Sequence, residues 1–467
     1  MDQNILRRLI GAALVVAGVV LTPGLAAEGA GARNVILIIG DGMDEQQTTI
    51  ARNYLKGARG KLLMDQMPLR GISQILTIED AIEERPVYVA DSANTATSMA
   101  TGVVTSRGRI ATTAGTNKDL TTIAELASAA GYRTGIVTTA NVTDATPSSF
   151  AAHISFRLCE NPTLMEAVVL RDTYLGSCAD DMKANGGPGS ISEQLAESKV
   201  DVILGGGIKH FAPNAEGRDI SVEELARENG FRVVMSAEEL AAAEPGQRLL
   251  GLFSDSTMPV RMRGEDGRIA EAPEPSLLNR LHRYLGDVEM PAIMRCEPNP
   301  GFRGMPTLQQ MTDAALANLA YENERGFFLM IESASIDKQA HERKPCGSIG
   351  EVVQLEEALA SALAFAETNP NTLILVTSDH SQAAQLIPHK SLFAAYPIPT
   401  YSPGKIARIE TPEGGIMVVN YATTNFMMSE HTGAAVPLYS NEQGRDLVTP
   451  YIQQPQIFDI MRAYLGL

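Results

Sequence analysis

Residues 327–341 read F-F-L-M-I-E-S-A-S-I-D-K-Q-A-H. An unbroken apolar run such as 327–331 belongs to a strand buried on both faces, since a half-exposed strand would alternate with polar residues. The run ends in Glu332 and then presents Asp337, Lys338 and His341. Asp337 and His341 are four apart, so on a helical turn they face the same way and can close on one ion. A carboxylate oxygen with an imidazole nitrogen suits zinc. Glu332, at the strand's exit, offers a second carboxylate that suits a harder ion. The same residues also suit a solvated ion-pair turn, and the segment alone does not choose.

Working outward, the pattern repeats. Strand candidates are 35–39, 134–138, 200–204, 231–235, 249–253, 327–331, 372–377 and 416–419. Between them lie helical stretches at 122–130, 192–198, 307–323, 349–366 and 456–465. Continuous apolar strands alternating with amphipathic helices imply an α/β fold with a mostly parallel sheet covered on both faces. Two regions break the alternation. Residues 255–306 are rich in Pro, Arg and Glu, and 383–429 carry Pro388, Pro397, Pro399, Pro403 and Pro412. Both are expected to be loop elaborations of one domain spanning 28–467, rather than linkers.

Composition sets outer limits. The chain of 467 residues is 44% apolar and 20% charged, an ordinary globular balance. A formal charge of −17 argues against nucleic acid and anionic membrane as partners. Acidity need not repel a phosphorylated substrate if bound cations reverse the sign locally. At the N-terminus, Arg7 and Arg8 precede an apolar run at 9–21, then Pro23, Gly24, Ala26 and Ala27. That is the order of a cleavable secretory signal over residues 1–27, and the run is too short for a membrane-spanning anchor. The paired arginines also allow a twin-arginine route. An exported protein, periplasmic or secreted, is expected. Cys159, Cys178, Cys296 and Cys346 are even in number, which in an oxidising compartment reads as two disulfides with three possible pairings. No C-x-x-C spacing favours zinc ligation by these cysteines.

Several strand candidates end in metal-ligand residue types. Residues 35–39 run into Gly40-Asp41-Gly42, residues 372–377 into Ser378-Asp379-His380, and the segment after Thr138 leads to Asp144 and Thr146. Ligands in open α/β sheets bind at the carboxyl ends of strands, so groups far apart in sequence can converge there. A nucleophile candidate lies in P-V-Y-V-A-D-S-A-N-T-A-T-S-M-A-T-G, residues 86–102. Ser92 sits where an extended segment meets a run of small residues able to form a tightly packed helix. A helix N-terminus there offers backbone N–H groups to an anion. The plain alternative is that Ser92 is an N-cap.

Taken in order, G-D-G-M (40–43), D-S-A-N-T-A-T-S-M-A-T-G (91–102), D-A-T-P (144–147), E-S-A-S-I-D-K-Q-A-H (332–341), T-S-D-H (377–380) and E-H-T-G (430–433) resemble the alkaline phosphatases, in particular exported bacterial members. The resemblance runs from about Asn34 to the C-terminus and includes chemically silent stretches such as L-G-G-G (204–207) and L-L-G-L-F-S-D (249–255). It implies a three-layer α/β/α fold around a large, mostly parallel central sheet. It also implies an enzyme releasing inorganic phosphate from small phosphate monoesters through a phosphoserine, and a homodimer.

The resemblance assigns roles position by position. Ser92 is then the nucleophile. Asp337, His341 and His431 hold one Zn2+, and Asp379 and His380 with Asp41 hold a second. Asp41 also bridges to a Mg2+ site completed by Thr146 and Glu332, with Asp144 acting through water. Arg157 grips the non-bridging phosphate oxygens and Lys338 reaches phosphate through water. The cysteines match the family's sequential pairing, Cys159 with Cys178 and Cys296 with Cys346. Sulfatases of the same superfamily need C-x-P-x-R or S-x-P-x-R at the nucleophile, which Ser92-Ala93-Asn94-Thr95-Ala96 lacks. Gln382 stands where related enzymes often have a His, and is expected to hydrogen-bond a ligand carboxylate. His153, His210, His282 and His389 are read as structural or surface residues.

Overall fold

Strand β1 (Asn34–Gly40) alternates between two separate apolar cores: Val35, Leu37 and Ile39 point into one, Ile36 and Ile38 into the other. That alternation follows from the pleat, which sends successive side chains to opposite faces. The computed structural model describes residues 31–467, so the signal expected at 1–27 lies outside the described residues.

Nine more strands join β1: β2 (Leu69–Gln74), β3 (Arg133–Asn141), β4 (Val202–Gly206), β5 (Arg232–Val234), β6 (Leu249–Leu252), β7 (Phe327–Ser333), β8 (Thr372–Ser378), β9 (Val436–Ser440) and β10 (Tyr451–Gln453). Their order across the sheet is β10-β2-β9-β8-β1-β7-β3-β4-β6-β5. Neighbours are parallel except at β9, which runs against both β8 and β2. The expected mostly parallel sheet is therefore present.

Helices cover both faces. On the side of Val35 lie α2 (Ser92–Thr101) and, near the C-terminus, α7 (Gln456–Leu465). On the side of Ile36 lie α1 (Glu45–Lys56), α4 (Leu308–Ala320) and α6 (Pro345–Thr368). Helix α6 starts with Pro345 at its first turn, where a missing N–H costs nothing. It buries Ile349, Val352, Leu355, Leu359 and Ala362, a helical stripe in which each large residue contributes roughly 1.5–3 kcal/mol. Two short helices complete the parts that matter to the site: α3 (Ala145–Ser148) after β3, and α5 (Ser335–His341) after β7.

The pattern-breaking regions contain ordered strands. Ile293–Met294, Ala384–Ile387, Lys405–Glu410 and Ile416–Tyr421 form a second, four-stranded sheet. The strand expected at 416–419 thus belongs to this accessory sheet and not to the central one. Its hydrophobicity called for burial, and it is buried here as the inner strand between two antiparallel partners. Both disulfides are present, Cys159–Cys178 and Cys296–Cys346, in the sequential pairing. Among the described residues, no helix is long and apolar enough to cross a membrane.

Candidate active site

The four strands whose ends carry candidate ligands, β8, β1, β7 and β3, are consecutive neighbours in the middle of the sheet. Register aligns their ends: Gly40 pairs with Ser378 and Ser333, and Glu332 with Ile39 and Thr138. The loops that follow must therefore emerge side by side. Gly42 makes the turn after β1 with a φ of +65°, and a Cβ there would lie 2.9 Å from Gln382 Cγ and 3.0 Å from Asp337 Cβ. Only glycine fits that position.

Two groups of ligand-type side chains result. Asp337, His341 and His431 each offer an atom within 4.8 Å of the others, and so do Asp41, Asp379 and His380. In the first group His341 Nδ1 lies 2.5 Å from the Ser429 carbonyl and His431 Nδ1 2.8 Å from that of Ala90. A carbonyl only accepts, so each Nδ1 carries a proton and each Nε2 faces inward, where it holds either a proton or a cation. The two Nε2 atoms are 2.9 Å apart, and each is 3.3 Å from an oxygen of Asp337. Converging imidazoles and a buried carboxylate need positive charge between them, as a proton or as a bound cation. Burial opposes charge on His431, yet Asp337 overrides it and lifts the imidazole to about 9. Burial likewise resists ionisation of Asp337, but His341 and His431 hold it well below the usual carboxylate range.

The second group abuts the first, with the rings of His380 and His431 stacked 3.7 Å apart. Asp379 Oδ1 accepts from the Gly42 and His380 amides at 2.9 and 2.8 Å, whereas its buried Oδ2 has no hydrogen-bond partner among the described residues. Burial, and then the nearby Asp337 charge, raise Asp379 to about 6 against the Gly42 hydrogen bond. Asp41 is raised further, by burial and then by Asp379, Asp337 and Glu332. Burial, with Asp144 adding repulsion, takes Glu332 to about 8 although Thr138 donates to it at 2.5 Å. The Thr146 hydroxyl is buried with no hydrogen-bond partner among the described residues. An orphaned carboxylate oxygen, an orphaned hydroxyl and mutually repelling buried acids fit bound cations, and the nitrogen and oxygen donors suit divalent ones. Glu332, Thr146 and Asp144 stand outside both groups of three.

Ser92 opens α2 beside this centre. Its Oγ lies 3.1 Å from His380 Nε2 and 3.5 Å from Asp41 Oδ1. The N-cap is Asp91, in a capping box with Asn94, so the plain reading of Ser92 as a cap is wrong. Freed from capping, the hydroxyl can point into the site. Ala93, Ala96 and Ala100 are fully buried, and their small size lets α2 sit against the sheet. Arg157 donates to Asp91 at 3.3 Å and to Asp144 at 2.9 Å. Lys338 pairs directly with the other oxygen of Asp144. Burial works against the Asp144 charge, but Lys338 and Arg157 outweigh it and hold the carboxyl far below its ordinary value.

Some partners were not legible. Gln382 was, and its Nε2 donates to Asp337 Oδ1 at 2.5 Å. Thr138 and Asp91 carried no signal beyond strand and cap patterns. His210 is buried with Nε2 3.0 Å from Glu160, whose same oxygen accepts from Thr143 at 2.6 Å and Asn141 at 3.1 Å, steadying the turn before Asp144. His153 pairs with Glu125 at 2.9 Å, and His282 and His389 are exposed. None of these four histidines joins the two groups.

Comparison with known proteins identifies the family and the fold. The family model described as alkaline phosphatase matches residues 32–437. The chain is 39% identical over 474 residues to streptomycin-6-phosphate phosphatase of Streptomyces griseus, covering 98% of this chain and 97% of that protein. It is 38% identical over 444 residues to alkaline phosphatase of Escherichia coli strain K12, covering 93% and 86% respectively. Among solved structures, Thermus thermophilus alkaline phosphatase superposes with a TM-score of 0.65 at 21% identity, over 96% of each chain. Alkaline phosphatase from the Antarctic bacterium TAB5 gives 0.63 at 21% identity, over 93% of this chain and 99% of that one. At such identity the structural likeness establishes the fold.

Proposed function

The chain belongs to the alkaline phosphatase family and is a phosphoric monoester hydrolase, and from that premise we propose how its residues divide the work. Ser92 Oγ attacks phosphorus in line with the leaving alcohol; the new P–O bond to serine forms as the ester P–O bond breaks. Water then displaces the serine oxygen, releasing inorganic phosphate and restoring the hydroxyl. The observation that carries this reading is the position of Ser92 Oγ, 3.1 Å from His380 Nε2 at the start of a helix and against one of two adjoining ligand groups.

Asp337, His341 and His431 would hold one Zn2+ and Asp41, Asp379 and His380 the other, with Mg2+ assigned to Asp41, Thr146, Glu332 and, through water, Asp144. When bound, such ions supply Lewis acidity, favouring the ionised hydroxyl and neutralising charge on the entering and leaving oxygens. Arg157, fixed between Asp91 and Asp144, presents a planar fork to two non-bridging oxygens, and Lys338 adds charge behind it. The positive end of α2 begins at Ser92 and lies beside the same anion. This concentration of contacts on the phosphate supports a dianionic monoester and a broad choice of alcohols, as in phosphate scavenging. The relative named for streptomycin 6-phosphate marks the narrower alternative. The expected signal at 1–27 and two disulfides support export to the periplasm or beyond. A homodimer is also proposed.

One assay tests the reading: p-nitrophenyl phosphate against its bis ester, with and without chelator, for wild type and Ser92→Ala. Monoester turnover should exceed diester turnover, vanish with chelator, return with zinc and magnesium, and fall by about three orders of magnitude in Ser92→Ala. Equal diester rates, or monoester turnover that survives metal stripping, would sink it. Activity should lean alkaline.

A further inference from the structure

Arg343 is 1% exposed, and among the described residues it forms no ion pair with a carboxylate. Its two terminal nitrogens bond to backbone alone: Nη1 donates to the Met427 carbonyl at 2.5 Å, and Nη2 to those of Phe426 at 2.8 Å and Thr424 at 3.4 Å. Nε is buried with no hydrogen-bond partner among the described residues. The residue also holds a φ of +61°, a conformation that a non-glycine rarely adopts. A buried, strained cation is retained only where the surrounding structure demands it.

What it holds is the segment that delivers His431. Phe426, Met427 and Met428 are 61%, 57% and 46% exposed, so this loop cannot anchor itself by burying its side chains. It is tied from beneath instead. Arg343 holds 424–427, and two residues on Ser429 makes a second tie to the turn that ends α5. The Ser429 amide donates to the His341 carbonyl at 2.9 Å, its hydroxyl to that of Ala340 at 2.6 Å, and its carbonyl accepts from His341 Nδ1 at 2.5 Å. His341 and His431 are 90 positions apart in sequence, and these ties fix how closely their Nε2 atoms approach.

From this arrangement we infer that Arg343 is a positioning residue for the Asp337–His341–His431 cation site, setting the distance between its two imidazoles through the backbone of 424–429. The inference rests on the proposed role of those three residues as zinc ligands. Among the described residues, the hydrogen bonds of Arg343 go to 424–427 and none to the Asp41–Asp379–His380 group, which serves as an internal control.

The test loads the full-length protein with Zn2+ and measures ion stoichiometry and affinity by competition with a chromophoric chelator. The visible spectrum of the Co2+ form identifies the site that changes. His431→Ala, as reference, should lose one of the two ions. Arg343→Ala should weaken that same ion about 10- to 100-fold and leave the other unchanged. Arg343→Lys should recover part of the loss, and Phe426→Ala should bind both ions as wild type does. In turnover, kcat should fall in Arg343→Ala with little change in KM. If Arg343→Ala does not accumulate as folded protein, Arg343→Gln, which keeps an N–H donor for the carbonyls, carries the same expectation. Wild-type affinity for both ions in a folded Arg343 variant overturns the inference. If instead His431→Ala loses no ion, the ligand assignment itself fails.

Discussion

Arg157 reaches Asp91 and Asp144 from two different nitrogens, at 3.3 and 2.9 Å. A lysine has one nitrogen and cannot hold both carboxylates while facing a phosphate. Losing one charge-assisted hydrogen bond costs about 1.5–3 kcal/mol, so Arg157→Lys should lower kcat/KM roughly 10- to 100-fold and weaken product inhibition by phosphate. Steady-state kinetics checks both. Away from the centre, His153 and Glu125 make a pair with a pH signature. Burial opposes both charges, but the partner wins in each case: His153 is raised above 6.5 and Glu125 lowered below 4.5. The raised imidazole contributes stability present below 6.5 and lost as pH rises through its folded value. The lowered carboxylate contributes stability present above 4.5 and lost as pH falls through its folded value. Glu125→Gln should therefore cost more at about pH 5.5 than at about pH 9.5 in denaturant unfolding. An equal loss at both would contradict the pairing. At this scale the candidate ligands were legible only as a set: Asp is an ordinary turn residue, but four strand ends carrying ligand types together are hard to ascribe to turns. Ser92 was less so, since whether a serine caps a helix or follows the cap depends on one residue of register.

The elements differ in how plainly they announce themselves. Strands β1, β7 and β8 are unbroken apolar runs, and their burial on both faces leaves no other reading. Strand β9 is V-P-L-Y-S, and a proline argues against a strand inside a sheet, yet all five residues are buried there. Strands β2 and β10 are half-exposed or three residues long, too weak to read alone. Of the accessory sheet only the strand at 416–419 was legible; its partners, I-M, A-Q-L-I and K-I-A-R-I-E, are too short or too polar to read alone. One disulfide, Cys296–Cys346, joins the ribbon of Met262–Gly264 and Cys296–Pro298 to the first turn of α6. It closes a separation of 50 residues, so Cys296→Ser with Cys346→Ser should destabilise the protein by about 2–4 kcal/mol. Calorimetry of the double variant against oxidised wild type measures it, and an unchanged melting temperature would count against a structural role.

At the scale of the molecule, the proposed homodimer predicts sedimentation at twice the chain's mass at micromolar concentration. A single species at the chain's own mass would overturn it. The strongly negative net charge makes that association depend on salt, weakening at low ionic strength where like charges repel over longer distances. By itself the sequence determined the α/β class, the central strands and the residue types that gather at their ends. Those are local properties: hydrophobic period and residue chemistry are written within a few positions of each other. Only the tertiary structure decided that β8, β1, β7 and β3 are neighbours, so that Asp379, Asp41, Glu332 and Asp144 emerge together. It alone decided that the 424–431 loop folds back onto α5 to bring His431 within 2.9 Å of His341. Such contacts join residues tens to hundreds of positions apart, and the energies that choose them come from packing and backbone hydrogen bonds rather than from any local pattern.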